Sequence, residues 1–289
     1  MCKFFLPLFL ITCLLTAEEF SYWDYHPLHV GANAIRVGKA KVKDNPLGGR
    51  LYFRKTNTYV NLLVPVTKKS YFFPRIEWNT FTLNWNQNTK FDEDHFYFAQ
   101  FSLTFFSTEL ERWRWIVRAE YNLDLEHFNQ PRKFALFSPL LWGQYEINRR
   151  WNYHIGAFGY TGLEGGQFYP IIGFDYSPNI RWTFLAVFPI DYSIQYKWHD
   201  WKFSLKSRPL KQRFRAGKKE PQPYSIFSYS TMGAEANIHF EKHRRFEFEF
   251  YLGYNFGGNF YIKNENGKNA LYTTLGGAPY CGLSVDVGF

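Results

Sequence analysis

Charged side chains in strict alternation are the groups in this 289-residue sequence best placed to do chemistry. From residue 112 to 126, Arg112, Arg114, Arg118, Glu120, Asp124 and Glu126 take the even positions, with Asn122 among them. Trp113, Trp115, Val117, Ala119, Tyr121, Leu123 and Leu125 take the odd ones, and Ile116 is the one apolar intruder. Lys202, Lys206, Glu235, Glu247 and Glu249 stand in similar patterns further on. Fixed charges of both signs on one line can orient passing polar solutes, or they can pair with each other and close the space between them. A second concentration, Lys206, Arg208, Lys211, Arg213, Arg215, Lys218 and Lys219, lies among Pro209, Pro221 and Pro223. It reads as a basic external loop, able to clamp lipopolysaccharide phosphates or host polyanions, or simply solvated.

Covalent and metal chemistry has little to work with. His26, His29, His95, His127, His154, His199, His239 and His243 are dispersed, with no pair at strong metal-ligand spacing. Asp92, Glu93 and Asp94 could hold a weak Ca²⁺ but read as a solvated loop tip. Gly48-Gly49, Gly165-Gly166, Gly257-Gly258 and Gly276-Gly277 read as turn or bulge glycines, not a phosphate loop. No catalytic residue, cofactor or metal is expected.

The first residues address the chain to export. Lys3, the apolar run 4–15 and Thr16-Ala17-Glu18 read as a signal peptide over 1–17, leaving 18–289 as the mature domain. An alternative reading makes Cys13 a lipid-acylated residue, with Thr12 a poor match before it. Cleavage after Ala17 would remove Cys2 and Cys13, leaving Cys281 as a small residue of the last strand and no internal disulfide. It would also remove Lys3, lowering the formal net charge from +9 to +8. A basic exported chain need not meet nucleic acid, because anionic lipid surfaces select the same charge, and no nucleic-acid partner is expected.

The elements that carry these residues are strands. Aromatic residues are 22% of the chain, yet mean hydropathy is −0.37 and no mature segment approaches the roughly 20 apolar residues of a membrane helix. Apolar and polar residues alternate with period two in 112–126, 190–198 and 246–256, as on a sheet with two unlike faces. These strands exceed the five or six residues common in soluble sheets. Strand-like stretches fall at 28–40, 51–66, 74–86, 95–106, 112–126, 136–148, 151–161, 169–177, 180–188, 190–198, 201–207, 224–241, 244–262 and 270–289. They predict a closed antiparallel transmembrane β-barrel of 14 strands, apolar outside and polar inside, with both termini periplasmic. Twelve strands is the alternative, because Pro189 leaves little room for a turn. A secreted β-sandwich or a soluble barrel, with the apolar face inside, is the rival fold. In 74–86 the apolar parity changes between Trp78 and Phe81, which predicts a bulge or a misplaced boundary. Trp113, Trp115, Trp151, Trp182, Trp198 and Trp201 all fall near inferred periplasmic turns and predict an aromatic girdle.

The C-terminus adds a resemblance. Leu283, Val285, Val287 and Phe289 alternate with Gly282, Ser284, Asp286 and Gly288, which resembles the assembly signal of bacterial outer-membrane β-barrel proteins, although Val287 stands where an aromatic is common. In size and strand number the chain is similar to fourteen-stranded monomeric porins, and it also looks like barrel families catalogued only as uncharacterised. The resemblance implies an outer-membrane location, contact with lipid and lipopolysaccharide, a transient encounter with the barrel-insertion machinery, and a monomer. Barrel phospholipases of similar size carry a catalytic cluster ending Ser-Asn-Gly, and that tripeptide does not occur here. The expected function is a narrow porin-like channel for small polar solutes or ions, with a non-conducting structural or surface-contact barrel as the alternative. An outer-membrane enzyme is a more distant reading.

Overall fold

A computed structural model describes residues 27–43, 49–86, 94–163, 165–218, 223–242, 245–266, 268 and 271–289. The predicted leader and Asp92, Glu93 and Lys219 lie outside the described residues. The chain runs through β1 (Leu28–Lys41), β2 (Arg50–Leu62), β3 (Val64–Thr67), β4 (Ser70–Trp85), β5 (His95–Ser107) and β6 (Trp113–Asp124). After a one-turn helix, α1 (Pro131–Phe134), come β7 (Leu136–Asn148), β8 (Trp151–Gly162), β9 (Gln167–Tyr176), β10 (Trp182–Phe188), β11 (Asp191–Trp198) and β12 (Trp201–Arg215). The last segments are β13 (Ile226–Lys242), β14 (Phe246–Lys263), β15 (Leu271–Leu275) and β16 (Ala278–Gly288). Because β3 prolongs β2 along β4, and β15 and β16 share one line along β14, the sixteen segments make 14 staves.

Each stave pairs antiparallel with its sequence neighbours, and β16 pairs with β1, so the barrel closes. Closure follows from the backbone's own demand: a strand in hydrocarbon has no water for its N–H and C=O groups, and only a sheet without edges pairs them all. At the end that holds the chain termini the connections are tight. In two of them an asparagine side chain organises the turn, the Arg150 and Trp151 N–H groups donating to Asn148 Oδ1 and those of Arg181 and Trp182 to Asn179 Oδ1. β10 and β11 are two staves, since Val187 faces Asp191 across a turn at Pro189 and Ile190 N donates to Val187 O at 2.8 Å. Fourteen therefore holds over twelve.

Outside, the barrel shows an apolar band. Leu103, Val117, Leu141, Ile155, Ile172, Ile194, Leu205 and Leu252 are all exposed, far more contiguous apolar surface than a water-soluble monomer shows. Cys281 also faces outward from β16, as a free thiol. The six predicted girdle tryptophans gather at the termini end. Cross-strand register there reads Trp113 to Tyr145, Trp151 to Tyr176, Trp182 to Tyr196, Trp198 to Trp201 and Trp201 to Phe240.

The inner face departs from a uniformly polar wall. Along β4 the inward residues are Arg75, Glu77 and Asn79, then Phe81, Leu83 and Trp85, in unbroken register with β2 and β5. No bulge separates Trp78 from Phe81. The apolar residues change face because the lumen itself turns from polar to apolar towards the loop end. Small inward residues let large ones lie flat against the wall: a Cβ on Gly282 would stand 2.1 Å from the Tyr251 ring, and one on Gly31 2.3 Å from the Tyr59 ring. Two further boundaries differ from expectation. β4 begins at Ser70, and β12 continues through Pro209 to Arg215 where a loop from 208 was expected. Proline is tolerated there because that stretch of β12 pairs only with β13 and is otherwise an edge.

Ala119 faces the apolar band and Glu126 stands exposed beyond β6 at the loop end. Ala119→Arg should therefore destabilise the barrel by about 2–4 kcal/mol and Glu126→Arg by no more than about 1 kcal/mol, because the cost of a charge falls from midplane to interface. Urea titration of protein refolded into vesicles checks this, and equal costs would reverse the assigned faces.

Candidate functional site: the barrel lumen

The middle of the lumen is lined by charges that pair between neighbouring staves or along one of them. Lys206 on β12 lies 3.3 Å from Glu235 on β13 and 3.1 Å from Glu249 on β14. Arg208 makes a two-pronged contact with Glu235, its Nη2 donating to Oε1 at 2.7 Å and its Nε to Oε2, and lies 4.2 Å from the Tyr251 ring centroid. Tyr280 donates to the same carboxylate at 3.1 Å, and Asn237 donates to Glu249. A second group joins Arg75 to Glu77 at 2.6 Å, with Asn57 donating to Glu77 at 2.9 Å and the Arg75 guanidinium 3.6 Å from the Tyr59 ring centroid. Tyr59 in turn donates to Asp286, whose other oxygen contacts His29 at 2.8 Å. Arg118 and Glu120 stand 3.9 Å apart, with Asn122 donating to Glu120 at 2.9 Å. Across β7 to β9, Asp175 accepts from Gln144 and Asn152 and contacts His154.

These groups are shut away from solvent. Glu77 is 1% exposed and Arg118, Glu120 and Glu235 are each 2% exposed, values foreign to the wall of a wide aqueous pore. Burying charge at this density is tolerable only where each ion keeps partners, and the register supplies them.

Above the charged layer, rings span the lumen. Phe96 on β5 and Phe214 on β12 have six staves between them on either side, so they stand on opposite walls, yet their centroids are 4.0 Å apart. Phe81 also reaches Phe214 at 5.2 Å, and Phe53 meets Tyr229 at 4.8 Å. Leu51, Leu83, Phe98, Leu210, Phe227 and Phe260 extend the same cluster. A second cluster of Phe106, Ile116, Leu140, Trp142, Phe158, Ile171, Val187 and Ile190 fills the β5–β11 side. Between the two lies a cavity of about 300 Å³ bordered by Phe98, Phe134, Phe158, Phe214, Lys211 and Arg213.

Of the residues expected to line the lumen, Arg114, Arg118, Glu120, Asp124, Lys202, Lys206, Glu235, Glu247 and Glu249 share the inward parity of their strands. Two do not line it. Arg112 sits exposed in the turn before β6 with φ 60°, its carbonyl accepting from Glu146 N, and Glu126 follows the end of β6. The expected basic loop is corrected too, because β12 carries its charges into the wall. Arg208 is in the lumen, and Lys211 and Arg213 reach towards Tyr160 and Gln167. Buried Arg215 donates to the carbonyls of Lys133, Leu163, Tyr224 and Glu265, tying together four loop-end segments. Lys218 alone of the described members stands exposed in the connection. Leu283, Val285, Val287 and Phe289 lie on the outward side of the closing stave. Among the described residues no three His, Cys, Asp or Glu side chains converge as a metal site.

No family model matches the chain. In sequence it is similar to a protein of Chlamydia trachomatis serovar D described as uncharacterized, 20% identical over 302 residues that cover 98% of this chain and 94% of that one. A likewise uncharacterized protein of Chlamydia muridarum is 21% identical over 304 residues, with the same coverage. In structure it is similar to an outer membrane channel from Pseudomonas putida F1, with a TM-score of 0.51, 7% identity, and 92% of this chain covering 96% of that one. The class is thereby set: the chain has the fold of a bacterial outer-membrane β-barrel.

Glu235→Ala would leave the Arg208 and Lys206 cations facing each other without their shared acid. It should cost about 3–5 kcal/mol in urea unfolding, against about 0.5 kcal/mol or less for exposed Glu126→Ala.

Proposed function

We propose that the protein is an outer-membrane channel for small polar solutes or ions whose lumen is closed, in the state described, by the aromatic contact between opposite walls. The contact of Phe96 with Phe214 carries this reading. A barrel of fourteen staves falls between small barrels filled by side chains and porins of sixteen or more that hold an open channel. Its obstruction is built from side chains of the two apolar clusters and not from backbone. Below that contact the wall presents both signs of charge, suited to polar passengers. The fold shared with an outer membrane channel supports the same reading.

On this proposal the termini end faces the periplasm after removal of the leader, and the tryptophan girdle lies at that interface. The exposed band contacts lipid and the loop end contacts lipopolysaccharide. The insertion machinery reads β16, and the barrel acts as a monomer without cofactor, catalysis or nucleic acid. A second reading, a non-conducting structural barrel, draws support from the local pairing and burial of the lumen charges. Surface contact through a basic loop has less behind it, since Arg208 and Arg215 are engaged inside.

Single-channel recording of refolded full-length mature protein separates these readings. The wild type should be mostly closed with brief small openings, and Phe96→Ala with Phe214→Ala should give sustained openings. In that open background Arg118→Ala should shift the reversal potential under a salt gradient towards cation selectivity. Silence of the folded double variant would contradict a channel, and a wide steady conductance in the wild type would contradict closure.

A further inference from the structure

The barrel wall is not equally tall all round. β10 has 7 residues and β11 has 8, whereas β12 has 15. The ladder between β9 and β10 stops at Ile172 and Phe188, and that between β11 and β12 at Ser193 and Lys206. Residues 167–171 of β9 and 207–215 of β12 therefore face each other above the β10–β11 hairpin with no strand between them. The height of this notch follows from strand geometry. From Trp182 in the girdle to Phe188 is about 20 Å along the strand, or roughly 15 Å along the axis at a ~40° tilt, short of the ~25 Å apolar band. From Trp201 to Lys211 is about 33 Å along β12, roughly 25 Å along the axis, which reaches the far edge of that band. The notch thus opens within hydrocarbon, and Lys211 stands at headgroup level.

Side chains, not backbone, bridge the gap. Lys211 Nζ donates to Tyr160 Oη at 2.6 Å and lies 5.5 Å from the Tyr169 ring centroid. Arg213 Nη2 donates to Gln167 Oε1 at 3.1 Å, and its guanidinium lies 4.6 Å from the Tyr160 ring centroid. Tyr160 and Tyr169 come from the inner face of β8 and β9, whereas Lys211 and Arg213 start from the outward parity of β12, so this seam passes through the wall. Apolar Phe168, Phe188 and Met232 stand exposed around it. Behind it is the 300 Å³ cavity, whose border includes inward Phe98 and Phe158 together with outward Phe188 and Met232. One space therefore connects the inside of the barrel to its lipid-facing side.

We propose that the β9–β12 notch is a lateral portal, and that the cavity behind it binds a single-chain amphiphile with its apolar chain among Phe98, Phe134, Phe158 and Phe214 and its anionic head on Lys211 and Arg213. The volume is at the low end of ligand pockets, roughly 300–1,000 Å³, so a short chain is enclosed or a longer one trails through the notch into lipid. A carboxylate or a phosphate monoester would answer the two cations equally well. The site does not depend on conduction, and its test reads binding.

The mature protein in phosphatidylcholine nanodiscs is dialysed against radiolabelled decanoate, decyl phosphate, decanol and decyltrimethylammonium, with empty discs subtracted and folding checked by heat-dependent gel migration. One anionic amphiphile should bind per barrel, at least tenfold more tightly than the cation, and the tighter of the two anions identifies the head. Lys211→Ala with Arg213→Ala should weaken anion binding at least tenfold and change decanol binding less than twofold. Ser138→Phe, which fills the cavity, should abolish both, with Leu136→Phe as the substitute if it does not fold. Unchanged binding in a folded cavity-filled variant, or equal binding of anion and cation, would overturn the site. In a Cys281→Ser background, Ser138→Cys, on the inward side of β7 at the cavity border, should react faster with N-dodecylmaleimide dissolved in the disc than with a water-soluble maleimide sulfonate. The reverse order would place the entrance among the loops and overturn the portal.

Discussion

A strand in hydrocarbon must find a partner for every backbone N–H and C=O it carries, and the rest of this molecule follows from that demand. Closing the sheet through β16 and β1 satisfies it for most of the circumference. Closure at fourteen staves then fixes a lumen narrow enough for side chains on opposite walls to touch. What fills that lumen is consequently a matter of stability as much as of passage. The charged layer around β12–β14 is stable because register sets Lys206 opposite Glu235 and Glu249 one stave further on, so the buried Lys206 and Arg208 cations both meet an acid. The loop-end layer needs no such matching, since rings pack without polar bookkeeping.

The same demand makes the notch above the β10–β11 hairpin informative. Two stretches of edge are left where the wall should be continuous, and long polar side chains from β12 are laid across them. Lysine and arginine suit this position because their stems can lie along apolar surface while their heads reach the interface. A short hairpin between tall neighbours is thus a change of wall composition, from backbone ladder to movable side chains.

Legibility in the sequence tracked how unlike the two faces of each strand are. β6 and β14 alternate charge with aromatic or aliphatic residues, and their faces and most of their lumen residues could be read directly. β4 could not be read this way, because Trp78 faces out and Phe81 faces in: period two persists, but the rule that apolar means outside fails where the lumen is aromatic. The same failure hid Phe96 and Phe214, since an inward ring in an apolar-outside scheme looks like noise. β12 misled for another reason. Pro209 and the basic run have the composition of a loop, and only the three-dimensional fact that this stretch is an edge allows it to be strand. Tyr59 and Asp286 were missed because their contact joins different staves, a relation that register creates and local spacing does not contain, whereas Arg75 and Glu77 pair along β4 itself and were missed with the faces of that strand.

The account stands on contact between opposite walls at Phe96 and Phe214. A short bis-maleimide applied to Phe96→Cys with Phe214→Cys in a Cys281→Ser background measures it directly in the folded, membrane-embedded barrel. Near-complete intramolecular crosslinking, seen as a changed mobility of the heated protein, is the result expected of a lumen spanned by side chains. A folded barrel in which the two thiols remain unlinked, while each reacts fully with a monofunctional maleimide, would mean that the walls stand apart and the lumen is open.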